Sequence, residues 1–224
     1  MRRMPRRTEK EDLIALLQEA SREVGVQLSP PQGEQFWIYL RELLEWNRAF
    51  PLTALTEPAD VVIKHFVDSL TPLPYLNPST NLLDIGSGAG FPGIPLKIAA
   101  PELRLSMVEP SRKKVSFLKH MVRSLKLREV AVLHGRFEDL PLGSPPPTTV
   151  ISRAFRRLEP LLDLVSPLLS RECLLVAMLG PTRAPEHQLF GELASAHGLH
   201  LSQLVPLELP RGRGGRTLAF FRTV

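Results

Sequence analysis

Asn81-Leu-Leu-Asp-Ile-Gly-Ser-Gly-Ala-Gly-Phe-Pro-Gly-Ile-Pro-Leu-Lys97 is the stretch whose reading decides the rest. A short apolar strand runs into a carboxylate, Asp84, then into closely spaced glycines, then into a helix expected to start between Phe91 and Gly93. Residues without a Cβ, such as Gly86 and Gly88, let a backbone lie directly against a ligand. The helix that follows is expected to aim its free N–H groups at the same spot. Asp84 stands two residues before the first glycine, at the carboxyl end of the strand. A carboxylate there repels a pyrophosphate but attracts an amino group or a sulfonium. S-adenosylmethionine carries both, whereas NAD and ATP carry phosphates.

Gly88-Ala-Gly90-Phe-Pro-Gly93 also satisfies the dinucleotide spacing G-x-G-x-x-G. It begins two residues too late after the strand, however, and places a proline between its last two glycines. A tight strand-to-helix turn without any ligand is the plain alternative.

At 224 residues the chain can bury a full core. Its 43% hydrophobic and 23% charged residues are those of a soluble globular protein, and no apolar run suits a membrane span. The N-terminus, Met-Arg-Arg-Met-Pro-Arg-Arg, leads into Glu9, Glu11 and Asp12, which is not a secretory signal. One cysteine, Cys173, excludes an internal disulfide framework and a cysteine-rich zinc site, so no metal site and a cytoplasmic location are expected. The net charge of +5 makes an anionic partner plausible.

Residues 9–75 read as helical. Leu13, Leu16, Leu17, Ala20 and Val24 recur at helical spacing. Phe36, Leu40, Leu43 and Leu44 mark a second helix begun by Ser29-Pro-Pro, and Val61–Leu70 a third. From Asn81 strands and helices alternate, which predicts an α/β fold with a largely parallel sheet. Seven strands are expected at 81–85, 103–109, 130–134, 148–153, 172–178, 201–207 and 216–222. Helices are expected near 92–100, 112–127, 158–169 and 184–197. Pro210-Arg-Gly-Arg-Gly-Gly215 suits a hairpin turn between the last two strands. Seven strands ending in such a hairpin resemble the Rossmann-like methyltransferase fold, so the expected organisation is a helical extension over 1–75 and a domain of that kind over 76–224, together one compact unit.

Ligands in such sheets bind beyond the carboxyl ends of the strands. Glu109 ends the second strand, where a carboxylate can bond ribose hydroxyls; an ordinary surface carboxylate is the bland alternative. After the third strand, Glu138 or Asp139 can accept from an adenine amino group with Phe137 against the ring, although helix starts are also rich in acids. Arg153 ends the fourth strand, placed either to bind a carboxylate or phosphate or to form a buried ion pair. Arg112, Lys119, Arg123 and Lys126 form a stripe along one helix, either a solvated face or, with the basic tail and Arg211, Arg213 and Arg216, a surface that tracks phosphates. His65 and Asp68 read as a capping or packing pair rather than a metal site.

No Asn/Asp-Pro-Pro-aromatic loop follows the fourth strand, so the carbonyl clamp used on exocyclic amines is missing. Cys173 opens an apolar strand and reads as core rather than a nucleophile. A site that only binds and aligns suits an atom with its own lone pair, such as a ring nitrogen of guanine, and no catalytic side chain is assigned.

Together these segments resemble the bacterial 16S rRNA guanine-N7 methyltransferases, also called glucose-inhibited division protein B. The resemblance runs through Trp46-Asn-Arg, Leu52-Thr-Ala and His65-Phe-Val-Asp-Ser-Leu70 to the glycine stretch. It continues in Arg112-Lys-Lys-Val-Ser-Phe-Leu118, Gly135-Arg-Phe-Glu138, Ser152-Arg-Ala154 and Arg216-Thr-Leu. It implies a class I S-adenosylmethionine-dependent methyltransferase acting on 16S rRNA or the 30S particle, with no obligate protein partner. It also implies that Gly86, Phe91, Phe137, Glu138 and Arg153 contact the cofactor. The chain departs from the family in having Leu179 where a lysine is frequent, which leaves a basic substrate contact missing or supplied by Arg183, and Pro51 where an asparagine is usual. A methyltransferase-like RNA-binding protein without turnover and a small-molecule methyltransferase are the alternatives.

Overall fold

The computed structural model describes residues 7–139, 145–153, 157–169 and 172–223. The extreme basic tail and Ala154-Phe-Arg156 lie outside them. Helices precede the sheet: α1 (Arg7–Glu23), α2 (Pro30–Ala49) and a run made of α3 (Pro58–Val61), a π-wound segment (Val62–Val67) and α4 (Asp68–Leu70), followed by a 3-10 turn (Leu73–Tyr75). The sheet contains β1 (Asn81–Ile85), β2 (Arg104–Glu109), β3 (Val130–His134), β4 (Thr149–Ser152), β5 (Leu174–Leu179), β6 (Leu199–Glu208) and β7 (Gly215–Thr223). Between them run α5 (Gly93–Ala99), α6 (Arg112–Ser124), α7 (Leu158–Val165) and α8 (Ala184–Ala196).

The strand order is β3-β2-β1-β4-β5-β7-β6. β1 to β5 pair in parallel, and β7 inserts antiparallel between β5 and β6. The expected hairpin is present, with a register irregularity between Leu201 and Gln203. Strand order reverses at β1 and β4, the place where a ligand crevice opens in this class of sheet.

Buried on both faces, β1 reads as a nearly unbroken apolar run, and its side chains alternate between two cores. Leu82 joins the apolar cluster that holds Leu17, Phe36, Ile63, Phe66, Ile94 and Phe117, so the N-terminal helices, α5 and α6 close over one face. Leu83 and Ile85 join the other, with Leu161, Leu162, Leu175 and Phe190 beneath α7 and α8. The helical pattern of α2 is explained by Gly33, Phe36, Leu40 and Leu43, all buried. Its start is as expected, with Ser29 at the cap and the Gln32 side chain accepting the Ser29 N–H at 2.8 Å.

Candidate cofactor and substrate site

A cavity opens at the carboxyl ends of β1 and β4, lined by Leu52, Thr53, His65, Gly86, Ser87, Gly88, Ala89, Phe91 and Arg153. The glycine loop forms one wall. Gly86 and Gly88 have φ of +72° and +59°. A Cβ on Gly88 would meet only the Gly86 carbonyl, 3.9 Å away, so that face of the loop is open. Gly90 serves packing instead: a Cβ there would fall 2.6 Å from Ile94 Cδ1 and 2.7 Å from the Tyr39 hydroxyl.

Two carboxylates hold this loop from below. Asp84 is fully buried and its Oδ2 accepts the Gly93 N–H at 3.0 Å. It therefore caps α5 and does not line the cavity, which corrects the expectation that it faces the ligand directly. Its Oδ1 has no hydrogen-bond partner, and burial pushes its carboxyl up to about 7. The expected fan of free N–H groups at the start of α5 is likewise not what forms. Phe91, Gly93, Ile94 and Leu96 donate to Ser87, Asp84, Gly90 and Pro92, and residue 95 is a proline. Glu109 is buried at the end of β2, its Oε2 accepting from Gly88 N–H at 2.9 Å and its Oε1 from Ser111 N–H at 2.8 Å.

The opposite wall comes from the N-terminal extension. Asn47 near the end of α2 accepts the Leu52 and Thr53 N–H groups at 2.7 and 2.9 Å and donates to the Thr53 carbonyl at 2.9 Å. This clamp fixes Thr53 beside His65, whose Nε2 lies 2.7 Å from Thr53 Oγ1. The imidazole stacks on Phe91 at 4.4 Å and 22°, and the Arg153 guanidinium lies 5.2 Å from the same ring. Arg153 Nη2 sits 2.7 Å from His65 Nδ1, while its Nη1 reaches Asp68 at 3.4 Å. Burial and the Arg153 charge lower the His65 pKa to about 3, so the imidazole is neutral.

Asp68 is only 3% exposed and also accepts from Arg216 Nε at 3.1 Å through both oxygens. Hence His65 and Asp68 do not form an isolated capping pair, as their spacing suggested; they bracket Arg153. Arg216 is turned inward onto Asp68 instead of onto a phosphate-tracking surface. Its neighbours Arg211 and Arg213 pair with Glu19 and Asp60 but remain exposed. β1, β4 and β5 further separate β7 from β2 and α6, so Arg216 shares no surface stripe with the α6 cations.

Arg112, Lys119 and Arg123 are exposed on α6, the first of them beside the carboxyl end of the sheet. Phe137 is 3% exposed and belongs to the apolar cluster of Leu83, Ile85 and Val108, which puts it in the core below the β3 end and not in the cavity lining. Glu138 beside it is exposed. Cys173 is buried before β5 with its thiol pushed up to about 11, as a core residue should be. No cluster of metal ligands occurs among the described residues. No described helix is long and apolar enough to cross a membrane.

The donor set fits an adenosyl amino acid. The cavity offers an open glycine face for close approach, an aromatic ring and a cation, and the Glu109 carboxylate stands behind the loop on the Gly88 N–H. Sheet order, the antiparallel β7 and the glycine loop define the class I S-adenosylmethionine-dependent methyltransferase fold. A methyltransferase from Aquifex aeolicus shares it, with a TM-score of 0.58 at 17% identity over 77% of this chain and 97% of that one. More particularly, the chain matches the rRNA small subunit methyltransferase G family (GidB) over residues 32–211, and it belongs to that family. It is 41% identical over 212 residues to the ribosomal RNA small subunit methyltransferase G of Syntrophus aciditrophicus, covering 92% of this chain and 88% of the relative. The protein of that name from Oceanobacillus iheyensis is 35% identical over 204 residues, 89% and 86% of the two chains.

Thr53 and His65 line the cavity and Asn47 clamps Thr53, placements that local spacing did not assign. The available signal was their presence in the quoted segments Trp46-Asn-Arg, Leu52-Thr-Ala and His65-Phe-Val-Asp-Ser-Leu.

Proposed function

We propose that the chain transfers the methyl group of S-adenosylmethionine to N7 of a guanine in the decoding-region loop of 16S rRNA, within the small ribosomal subunit or its RNA, in the cytoplasm. When bound, S-adenosylmethionine supplies an electrophilic methyl on a sulfonium. Gly86, Gly88, Phe91, Glu109 and Arg153 hold it, Glu138 borders it at the β3 end with Phe137 packed in the core beneath, and Asp84 fixes the loop from below. Arg112, Lys119 and Arg123 meet the RNA backbone.

One observation carries the choice of atom: both nitrogens of the cavity's imidazole, on His65, are committed to Arg153 and Thr53. That ring is not free to remove a proton, and its depressed pKa makes it a poor base. Guanine N7 attacks through its own lone pair and loses no proton as it does so. What the residues must supply is alignment, and fixing an in-line approach lowers a barrier by several kcal/mol.

The test uses unmodified small subunits, labelled methyl donor and the purified protein. Label entering small-subunit rRNA, and not large-subunit rRNA or tRNA, supports the reading. Label confined to tRNA, or absent from small-subunit rRNA, contradicts it.

A further inference from the structure

The direction of the hydrogen bonds running from Arg153 to Thr53 can be read without seeing a hydrogen. An arginine guanidinium has donors and no acceptor. His65 Nδ1, 2.7 Å from Arg153 Nη2, must therefore accept. The Lys64 carbonyl also faces the ring and favours a proton on it. The guanidinium, which cannot accept, overrides that preference at Nδ1. A neutral imidazole then carries its single proton on Nε2 and donates to Thr53 Oγ1 at 2.7 Å. The Leu55 N–H donates to the same oxygen at 3.1 Å.

Both lone pairs of the Thr53 hydroxyl are thus filled, and its own proton has no acceptor among the described residues. Thr53 lines the cavity with Gly86, Ser87 and Gly88, and Asn47 clamps its backbone on both sides. The result is a rigid hydroxyl that can donate and cannot accept, on the wall of the cavity that also holds the glycine loop.

Guanine presents two acceptors side by side, N7 and O6, whereas adenine presents N7 beside an N6 amino donor. We propose that Thr53 is a specificity-determining residue whose hydroxyl donates to O6 of the target purine, selecting guanine over adenine. Arg153 and His65 act through it as positioning residues by fixing the direction of that bond. An adenine amino group meets a hydroxyl with no lone pair left to receive it, and a buried donor without a partner is disfavoured. This inference rests on the proposed methylation at purine N7.

The test compares Thr53→Val, which keeps the shape and removes the hydroxyl, with Thr53→Ser, which restores it. Each is assayed on small-subunit RNA carrying guanosine, inosine or 2,6-diaminopurine at the modified position. Inosine keeps O6 and N7; diaminopurine keeps N7 and replaces O6 with an amino group. The wild-type protein should methylate guanosine and inosine at similar kcat/KM and diaminopurine poorly. Thr53→Val should lose about tenfold in kcat/KM on guanosine and inosine, the worth of one well-placed hydrogen bond. Its discrimination against diaminopurine should shrink by the same factor, with affinity for S-adenosylhomocysteine unchanged, and Thr53→Ser should recover most of the loss. His65→Ala should narrow the preference in the same direction. If Thr53→Val keeps the wild-type preference for guanosine over diaminopurine, the inference is wrong while N7 methylation stands. Absence of N7 methylation by the wild-type protein would instead remove the functional reading beneath it.

Discussion

Glu109 Oε2 takes the Gly88 N–H at 2.9 Å, so the carboxylate at the end of β2 and the open glycine of the β1 loop are one mechanical unit. The other oxygen of Glu109 holds Ser111 at the start of α6. Each carboxylate oxygen keeps a second lone pair for a ligand hydroxyl. Glu109→Ala should weaken S-adenosylhomocysteine binding roughly 10- to 100-fold, the range for hydrogen bonds to a charged group. Calorimetry that finds unchanged affinity would detach Glu109 from the cofactor.

Gly88 and Gly90 should fail in different ways. A Cβ at Gly88 meets open space, so Gly88→Val should leave a folded protein that no longer binds S-adenosylhomocysteine, apart from backbone strain of about 1–3 kcal/mol at its positive φ. At Gly90, whose φ of +100° carries the same strain, the added carbon also collides with Ile94 and Tyr39, so Gly90→Ala should lower stability by about 1–3 kcal/mol more than Gly88→Val does, before any ligand is added. Equal melting temperatures for the two variants would show that the loop is built otherwise.

Asp84 gives the cofactor-free protein a distinctive pH dependence. Its folded pKa is raised by burial from 3.8 to about 7, so between those values the folded state keeps a proton that the unfolded chain has released. Its contribution to stability therefore falls as pH rises through this window and is flat above it. Asp84→Asn removes that titration. Urea unfolding should show wild-type stability, measured relative to the variant, declining from about pH 4 to 7 and level thereafter. A difference that rises with pH would contradict the buried, half-partnered carboxylate.

Much of this architecture is legible locally, and what is not has a common cause. The β1 strand, its glycine turn and the capped start of α2 depend on neighbours within a few residues, so their pattern is written in order along the chain. His65, Asp68 and Arg153 come together across 85 to 88 residues, and Arg216 reaches Asp68 across 148. No periodicity reports such meetings. The same distance effect explains why Arg216 looked like a surface cation. The π-wound stretch Val62–Val67 has no local signature, because its apolar spacing is also that of an α-helix. Asp84 differs for a subtler reason: its place at the strand end follows from the local pattern, but the side of the loop that its carboxylate takes is set by its bond to the Gly93 N–H at the start of α5.

The α6 cations test how RNA is held. Arg112 and Arg123 are exposed near the two ends of one helix, so reversing both charges should weaken small-subunit RNA binding. It should also reduce the log–log salt slope by about 2 while leaving S-adenosylhomocysteine affinity intact. An unchanged salt slope would return these side chains to a plain solvated face.

The position of the transferred methyl tests the account most directly. Small subunits lacking the modification are incubated with labelled S-adenosylmethionine and either the wild-type protein or Cys173→Ala, and the rRNA is digested to nucleosides for mass spectrometry. Because the only thiol is buried in the core and the cavity imidazole is committed, both proteins should yield labelled 7-methylguanosine at near-equal rates. Label at a pyrimidine C5 or on an exocyclic amine, or loss of turnover with Cys173→Ala, would contradict it.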